Sequence, residues 1–235
     1  MIMETIHYLA IVPARGGSKR LPGKNIKPLG EKPLIAWSIE SAKAAKHIDR
    51  IIISTDSDDI AAAGRAFGAD IPFIRPSDIA GDKSSVVDAL RHAVSFYETR
   101  GIEVKNIVLL QATNPFRTGA QIDAAIEAFE KQKADSLTSV SPAKNHPYYA
   151  LKGNTKALEP FFDVEKLSMR AFELPPACYE NGAVFIMTRD TIMNHGIYGP
   201  KSIVIQFDDP ALTIDIDTAH DFALAEFLLE KREGA

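Results

Sequence analysis

Between Arg15 and Asn25 the chain carries four cations, Arg15, Lys19, Arg20 and Lys24, on a stretch that also holds Gly16, Gly17, Ser18 and Gly23. Glycine lets a backbone take positive φ and approach a ligand closely, so cations on such a loop suit a polyphosphate. Two common phosphate loops are excluded by spacing. The pattern G-x-x-x-x-G-K-[ST] fails because Gly17 to Gly23 is one residue too long and Asn25 follows Lys24, and no G-x-G-x-x-G occurs. The other reading of these residues is a solvated basic loop after a strand. Near the opposite end, Thr213-Ile214-Asp215-Ile216-Asp217-Thr218 sets two carboxylates at i and i+2. In an extended segment those residues share a side, and the paired charges call for a counter-charge such as Mg²⁺, a cation usually held by one or two carboxylates plus substrate phosphates. Helix capping by Asp217 or Thr218, with Asp221 three residues after Thr218, is an equally open reading.

These residues must be positioned by the elements around them. Tyr8–Val12 has the apolar run of a buried central strand and leads directly into the basic loop. Strands and helices then alternate. A helix is expected over Pro33–Lys43, a strand over Arg50–Asp56, and a helix over Asp59–Phe67 capped by Asp56 or Ser57 and stopped by Gly68. Ile71–Ile74 reads as a short extended piece and Ser84–Thr99 as a third helix, followed by a strand at Asn106–Gln111, a helix at Ala120–Lys131 and a strand at Ser136–Val140. This alternation predicts an α/β fold of three layers, with helices on both faces of a mainly parallel sheet and a ligand site beyond the carboxyl ends of the strands. From 141 to 180 the pattern lapses into five prolines and scattered aromatics, which suggests an arm or lid within a single domain spanning 1–235. Asn181–Met187 and Ser202–Phe207 resume as strands, with Thr188–Asn194 a short helix between them and Thr218–Lys231 the closing helix.

Composition narrows the class. A chain of 235 residues with 46% hydrophobic content can bury a sizeable core. Its net charge of −4 argues against a nucleic-acid protein and makes the basic loop a local feature suited to a small anion. The one cysteine, Cys178, excludes an internal disulfide framework and is expected to be a small core residue. No apolar run of about 18 residues and no signal-peptide pattern is present, so a cytoplasmic protein without a membrane span is expected. His146 has no carboxylate at a recognisable spacing and reads as a loop residue.

The run from Pro13 to Asn25, together with Ser54-Thr55-Asp56, Arg75-Pro76, Leu110 to Arg117, Asn181-Gly182-Ala183 and Asp215-Ile216-Asp217-Thr218, resembles the CMP-sialic acid synthetase family. These are the acylneuraminate cytidylyltransferases, including enzymes for legionaminic and pseudaminic acids. The resemblance follows the chain in order over nearly its whole length. It implies a Rossmann-like nucleotide-binding sheet and a nucleotidyltransferase, in which the anomeric hydroxyl of a nine-carbon 2-keto sugar acid attacks the α-phosphate of CTP and pyrophosphate leaves. It further implies that Arg15, Lys19 and Lys24, with the backbone of Gly16, Gly17 and Ser18, hold the triphosphate, and that Asp215 and Asp217 hold Mg²⁺. Asn25 and Arg75 match positions near the ribose and cytosine, Gln111 one close to the sugar acid, and Asn181 lies in a further substrate motif. A basic residue commonly meets the sugar carboxylate in the family, and only Arg170 is available before Asn181 here. Tyr149 stands where some members have lysine and Phe185 where a tyrosine can stand, departures that bear on which acid is used. By the same resemblance the 141–180 arm reaches across a homodimer. A 3-deoxy-manno-octulosonate cytidylyltransferase is the alternative, and a non-catalytic nucleotide-binding module a further one.

Overall fold

The computed structural model describes residues 4–154 and 157–233. The chain runs from β1 (Thr5–Pro13) through the basic loop to a short ribbon, β2 (Pro28–Leu29) and β3 (Lys32–Pro33), then α1 (Leu34–Ala44), β4 (Arg50–Ser54) and α2 (Asp58–Ala66). It continues with α3 (Val86–Glu98), β5 (Glu103–Leu109), α4 (Gly119–Gln132) and β6 (Ser136–Pro142). A hairpin, β7 (Leu151–Asn154) and β8 (Ala157–Pro160), precedes β9 (Cys178–Thr188), α5 (Arg189–Asn194), β10 (Ser202–Gln206) and α6 (Ala219–Glu233).

Six strands form one sheet in the order β10-β6-β9-β5-β1-β4. β1 lies parallel to β4 and β5, and β10 parallel to β6, whereas β9 is antiparallel to both of its neighbours. Side chains of β1 alternate between the two faces. Ala10 and Val12 join a core with Ile35 and Ile39 of α1, Ile60 of α2 and Ile122, Ile126 and Phe129 of α4, while Leu9 and Ile11 join Leu90, Val94 and Tyr97 of α3 and Ile192 of α5. Residues that are apolar on both sides of a strand require helices on both faces, so β1 is central and buried. Truncating a fully buried side chain such as Ile11 to alanine is expected to cost about 2–5 kcal/mol. A third cluster joins Phe222, Ala225 and Leu229 of α6 to Leu29, Leu34, Phe116 and Ile216, which pins the last helix against the loop that follows β5.

The helix starts are capped by side-chain hydroxyls, at α2 and α6 by one of the residues expected there. Ser57 accepts from the Ile60 amide at the start of α2, and Ser85 and Thr118 form reciprocal capping boxes with Asp88 and Gln121. At α6 the Thr218 hydroxyl accepts from the Asp221 amide, and the Asp221 carboxylate accepts from the amides of Thr218 and Asp217. Thr218 is therefore the cap, and the Asp217 side chain is left to point elsewhere.

Residues 141–180 hold the exposed β7–β8 hairpin and several single 3-10 turns. Cys178 is exposed, against expectation, because it opens β9 at the base of this segment, opposite Pro142, and not inside the sheet core. Ile71–Ile74 forms no strand; the one bridge of that region pairs Asp70 with Ile52. Among the described residues no helix is long and apolar enough to cross a membrane.

Candidate active site

β1, β4 and β5 end side by side, and the segments leaving β1 and β5, with residues from the connection between α2 and α3, line one cavity of about 630 Å³. Its lining includes Arg15, Ser18, Lys19, Arg20, Lys24 and Asn25 from the basic loop, Arg75 and Asp82 from the connection into α3, Gln111 and Thr113 from the turn after β5, and Asp217 from the segment before α6. Such a crevice beyond the strand carboxyl ends is the usual ligand position in parallel sheets.

The basic loop is built by local contacts. Ala14 N–H donates to the Ser54 carbonyl at 3.0 Å, which continues the β1–β4 pairing one residue into the loop. The buried Asn25 carboxamide donates back to the Arg15 carbonyl at 3.0 Å and closes the loop on itself. Gly23 takes φ 65°, the left-handed geometry that glycine accepts without strain, whereas Gly16 and Gly17 do not adopt positive φ. Gly16 and Gly17 also stand outside the cavity lining, and the Gly16 N–H is engaged by the Asp56 carboxylate at 2.8 Å. The side chains of the loop, more than its glycine amides, face the cavity.

Two carboxylates divide the four cations between them. Asp82 pairs with Arg15 at 2.8 Å and with Lys19, and Asp217 pairs with Arg20 at 2.6 Å and with Lys24 at 2.9 Å. Lys19 through its hydrogen bond, and Arg15 beside it, hold the Asp82 carboxyl below its usual pKa. The pairs differ in exposure: Arg15 and Asp82 are open to solvent, while Lys24 is nearly buried and also donates to the Ile216 carbonyl at 2.7 Å. Exposed pairs contribute little and exchange partners readily, so Arg15, Lys19 and Arg20, all more open than Lys24, are available to an incoming anion. Asp82 was not among the expected site residues. Its signal in the sequence is only a turn-rich Ala80-Gly81-Asp82-Lys83-Ser84 stretch seven residues after Arg75.

Arg75 is buried beneath the same loop, donating through Nε to Ser54 Oγ at 3.1 Å and through Nη2 to the Ser54 carbonyl. Burial pushes its pKa down. Asp217 is placed by its neighbours: Ile216 N–H donates to the Thr113 carbonyl at 2.9 Å, and Ile216 itself is buried in the third core cluster.

Besides Gly16 and Gly17, three expected residues do not join the cavity lining. Asp215 is exposed and outside the lining, two residues before Asp217. Asn181 is buried in a closed network: its Oδ1 accepts from Ser139 Oγ and the Ala183 amide, its Nδ2 donates to Ser141 Oγ, and its carbonyl accepts from Asn114. Every group of that side chain is spent inside the protein, so it supports the site from behind. Arg170 lies on the arm, exposed, with its guanidinium over the Phe172 ring at 5.9 Å.

A divalent cation fits the acidic side of the cavity in a limited sense. The donors on offer are hard carboxylate oxygens, Asp217 at the cavity and Asp215 next to it, and no group of three or more His, Cys, Asp or Glu gathers among the described residues. That suits a Mg²⁺ ion completed by substrate oxygens and water, and does not suit an all-protein cage.

The cytidylyltransferase family model matches residues 9–228. A CMP-N,N'-diacetyllegionaminic acid synthase of Legionella pneumophila is 35% identical over 98% of this chain and 99% of its own. An N-acylneuraminate cytidylyltransferase of Escherichia coli is 31% identical over 95% of this chain, which spans 52% of that longer protein. Among solved structures, a CMP:2-keto-3-deoxy-manno-octonic acid synthetase complexed with CTP superposes with a TM-score of 0.71 at 17% identity, covering 96% of this chain and 99% of the other.

Proposed function

The chain belongs to the cytidylyltransferase family and, within it, to the CMP-sialic acid synthetases, and from that premise we propose how its cavity works on CTP and a sugar acid. The protein is a cytidylyltransferase that activates a nonulosonic acid with CTP, giving the CMP-sugar and pyrophosphate. The octulosonate enzyme shares the fold at 17% identity, well below the similarity to the nonulosonic relatives.

In this proposal Arg15 and Lys19 exchange Asp82 for the triphosphate. Their charge-assisted bonds neutralise the β- and γ-phosphates and stabilise pyrophosphate as it leaves. Lys24, held by Asp217 and the Ile216 carbonyl, sits between the phosphates and the acidic segment. Arg75, Ser18 and Asn25 face the nucleoside side, and Gln111 faces the acid whose anomeric hydroxyl attacks the α-phosphate. Phosphoryl transfer depends chiefly on such positioning and electrostatics. Asp217, with Asp215 beside it, would hold Mg²⁺, which when bound supplies Lewis-acid polarisation of the α-phosphate. The observation that carries this reading is the convergence, on one cavity, of the loop cations and an Asp217 that lies 193 residues beyond Lys24.

The arm is proposed to cover a second copy of the chain in a cytoplasmic homodimer, bringing Arg170 toward the partner's cavity. Exposed Leu158, Phe161, Phe162, Val164 and Phe172 on the arm support this. The deciding experiment is pyrophosphate release with CTP, Mg²⁺ and a panel of legionaminic, pseudaminic, N-acetylneuraminic and octulosonic acids. Turnover of at least one nonulosonic acid above the octulosonic acid is expected; release with none of them would reject the proposal.

A further inference from the structure

Behind the cavity wall lies a buried cation that the mechanism above does not use. Arg117 is 3% exposed, and none of its hydrogen-bond partners is a carboxylate. Its Nε donates to the Ala183 carbonyl at 2.7 Å, Nη1 and Nη2 reach Ser38 Oγ at 3.1 and 3.2 Å, and Nη2 also donates to the Gln111 carbonyl. Burial alone lowers its pKa to about 9, and at neutral pH the guanidinium stays charged. A buried charge without a counter-ion is costly, and an apolar side chain of similar volume would fill the space at lower cost. What Arg117 does that an apolar residue cannot is hydrogen-bond the turn after β5 to the middle of β9, at the Gln111 and Ala183 carbonyls, beside the Asn114 carboxamide that reaches the Asn181 carbonyl.

Those segments meet where the cavity needs a defined wall. Gly182 has φ 75° and no side chain, and a Cβ there would lie 3.2 Å from Gln111 Oε1. The Gln111 carboxamide thus packs closely against Gly182, where a Cβ would require it to shift by a few tenths of an ångström. Ser38 Oγ donates to the same Gln111 carbonyl at 3.3 Å, so the turn is gripped from two sides.

We propose that Arg117 is a positioning residue for the sugar-acid side of the cavity, clamping the Gln111 and Ala183 carbonyls so that the Gln111 carboxamide is seated against Gly182. The proposal rests on the reading that Gln111 meets the acid. Arg117→Lys keeps the charge but offers a point donor in place of a planar fork, so it cannot hold both carbonyls and Ser38 together.

The test is a double-mutant cycle on pyrophosphate release, with KM for the acid and for CTP measured separately. Arg117→Lys and Gln111→Ala are each expected to raise the acid KM about 10-fold with the CTP KM unchanged, the size of one lost buried hydrogen bond. The double variant is expected to be no worse than the weaker single variant, because both act through one carboxamide. Additive losses, an equal rise in both KM values, or a wild-type acid KM in Arg117→Lys would overturn the proposal. Should Arg117→Lys fail to fold, Ser38→Ala replaces it in the cycle, with about a 3-fold rise in acid KM expected and the same outcomes deciding. If the unmodified chain releases pyrophosphate with none of the acids, the parent reading fails and this one with it. Turnover by the unmodified chain combined with additive variants overturns this proposal alone.

Discussion

The cavity and the arm are built on opposite terms. In the cavity each loop cation has a carboxylate partner, Arg15 and Lys19 on Asp82, Arg20 and Lys24 on Asp217, and the buried Arg75 and Arg117 behind them are hydrogen-bonded in turn. In the arm the unmet groups are apolar. Seven of the twelve exposed large hydrophobic side chains among the described residues fall within residues 141–180, about a sixth of the chain, so their exposure is a regional property and not the ordinary scatter of surface leucines. The contrast teaches that the two regions respond to different events. The cavity has its counter-charges in place and, in the proposed function, changes state by exchanging them for a ligand's, whereas the arm is proposed to change state by being covered.

Asp217→Ala tests the cavity side most severely. With Arg20 and Lys24 deprived of their partner and the carboxylate proposed to hold Mg²⁺ gone, turnover is expected to fall about 100-fold or more, while CTP binding measured without metal persists. Wild-type turnover would remove Asp217 from the mechanism. The arm side is broken by Leu158→Asp with Phe172→Asp, two charges placed on its apolar surface. Sedimentation is expected to show the proposed dimer weakened by about 30-fold or more, with CTP binding to the isolated chain retained. A chain that sediments as a monomer before mutation would end the idea that a second copy covers the arm.

Arg15→Ala sharpens the comparison within the cavity. It is expected to raise the CTP KM about 10-fold, the scale of one charge-assisted hydrogen bond, and wild-type kinetics would refute the triphosphate assignment. The smallest effect has the opposite sign. Asp82→Asn removes an internal competitor for Arg15 and Lys19, so the CTP KM should fall about 3-fold, and an increase would mean that Asp82 helps to bind the nucleotide. Because Lys19 and Arg15 depress its pKa, what Asp82 contributes to stability is present above the ordinary carboxylate range and is lost as pH falls through the lowered value. Acid titration of Asp82→Asn should lack that step.

Much of the frame was legible in the residues. Apolar runs such as Tyr8–Val12 and the one within Asn106–Gln111 mark central strands because burial on both faces demands continuous hydrophobicity, and Ser57 and Thr218 mark helix starts because a hydroxyl there satisfies amides that the helix cannot. The four cations of the 15–25 loop pointed to an anion for the same local reason, and the structure brings their side chains to the cavity. Asn181 and Cys178 were less legible: a polar side chain in a strand reads alike whether it faces a ligand or a buried network, and a lone cysteine reads as core unless one knows that the strand begins at the base of an arm.

The sequence by itself determined the alternation of strands and helices, the basic loop and the acidic segment, since each depends on neighbours within a few positions and on periodicity. Tertiary structure alone decided which charges meet, that Arg15 answers to Asp82 67 residues away and Arg20 to Asp217 197 residues away, and that Arg117 is buried under Gln111. Those partners are set by which strand ends lie side by side in the sheet, and strand order is a property of the whole packed chain that no local pattern carries.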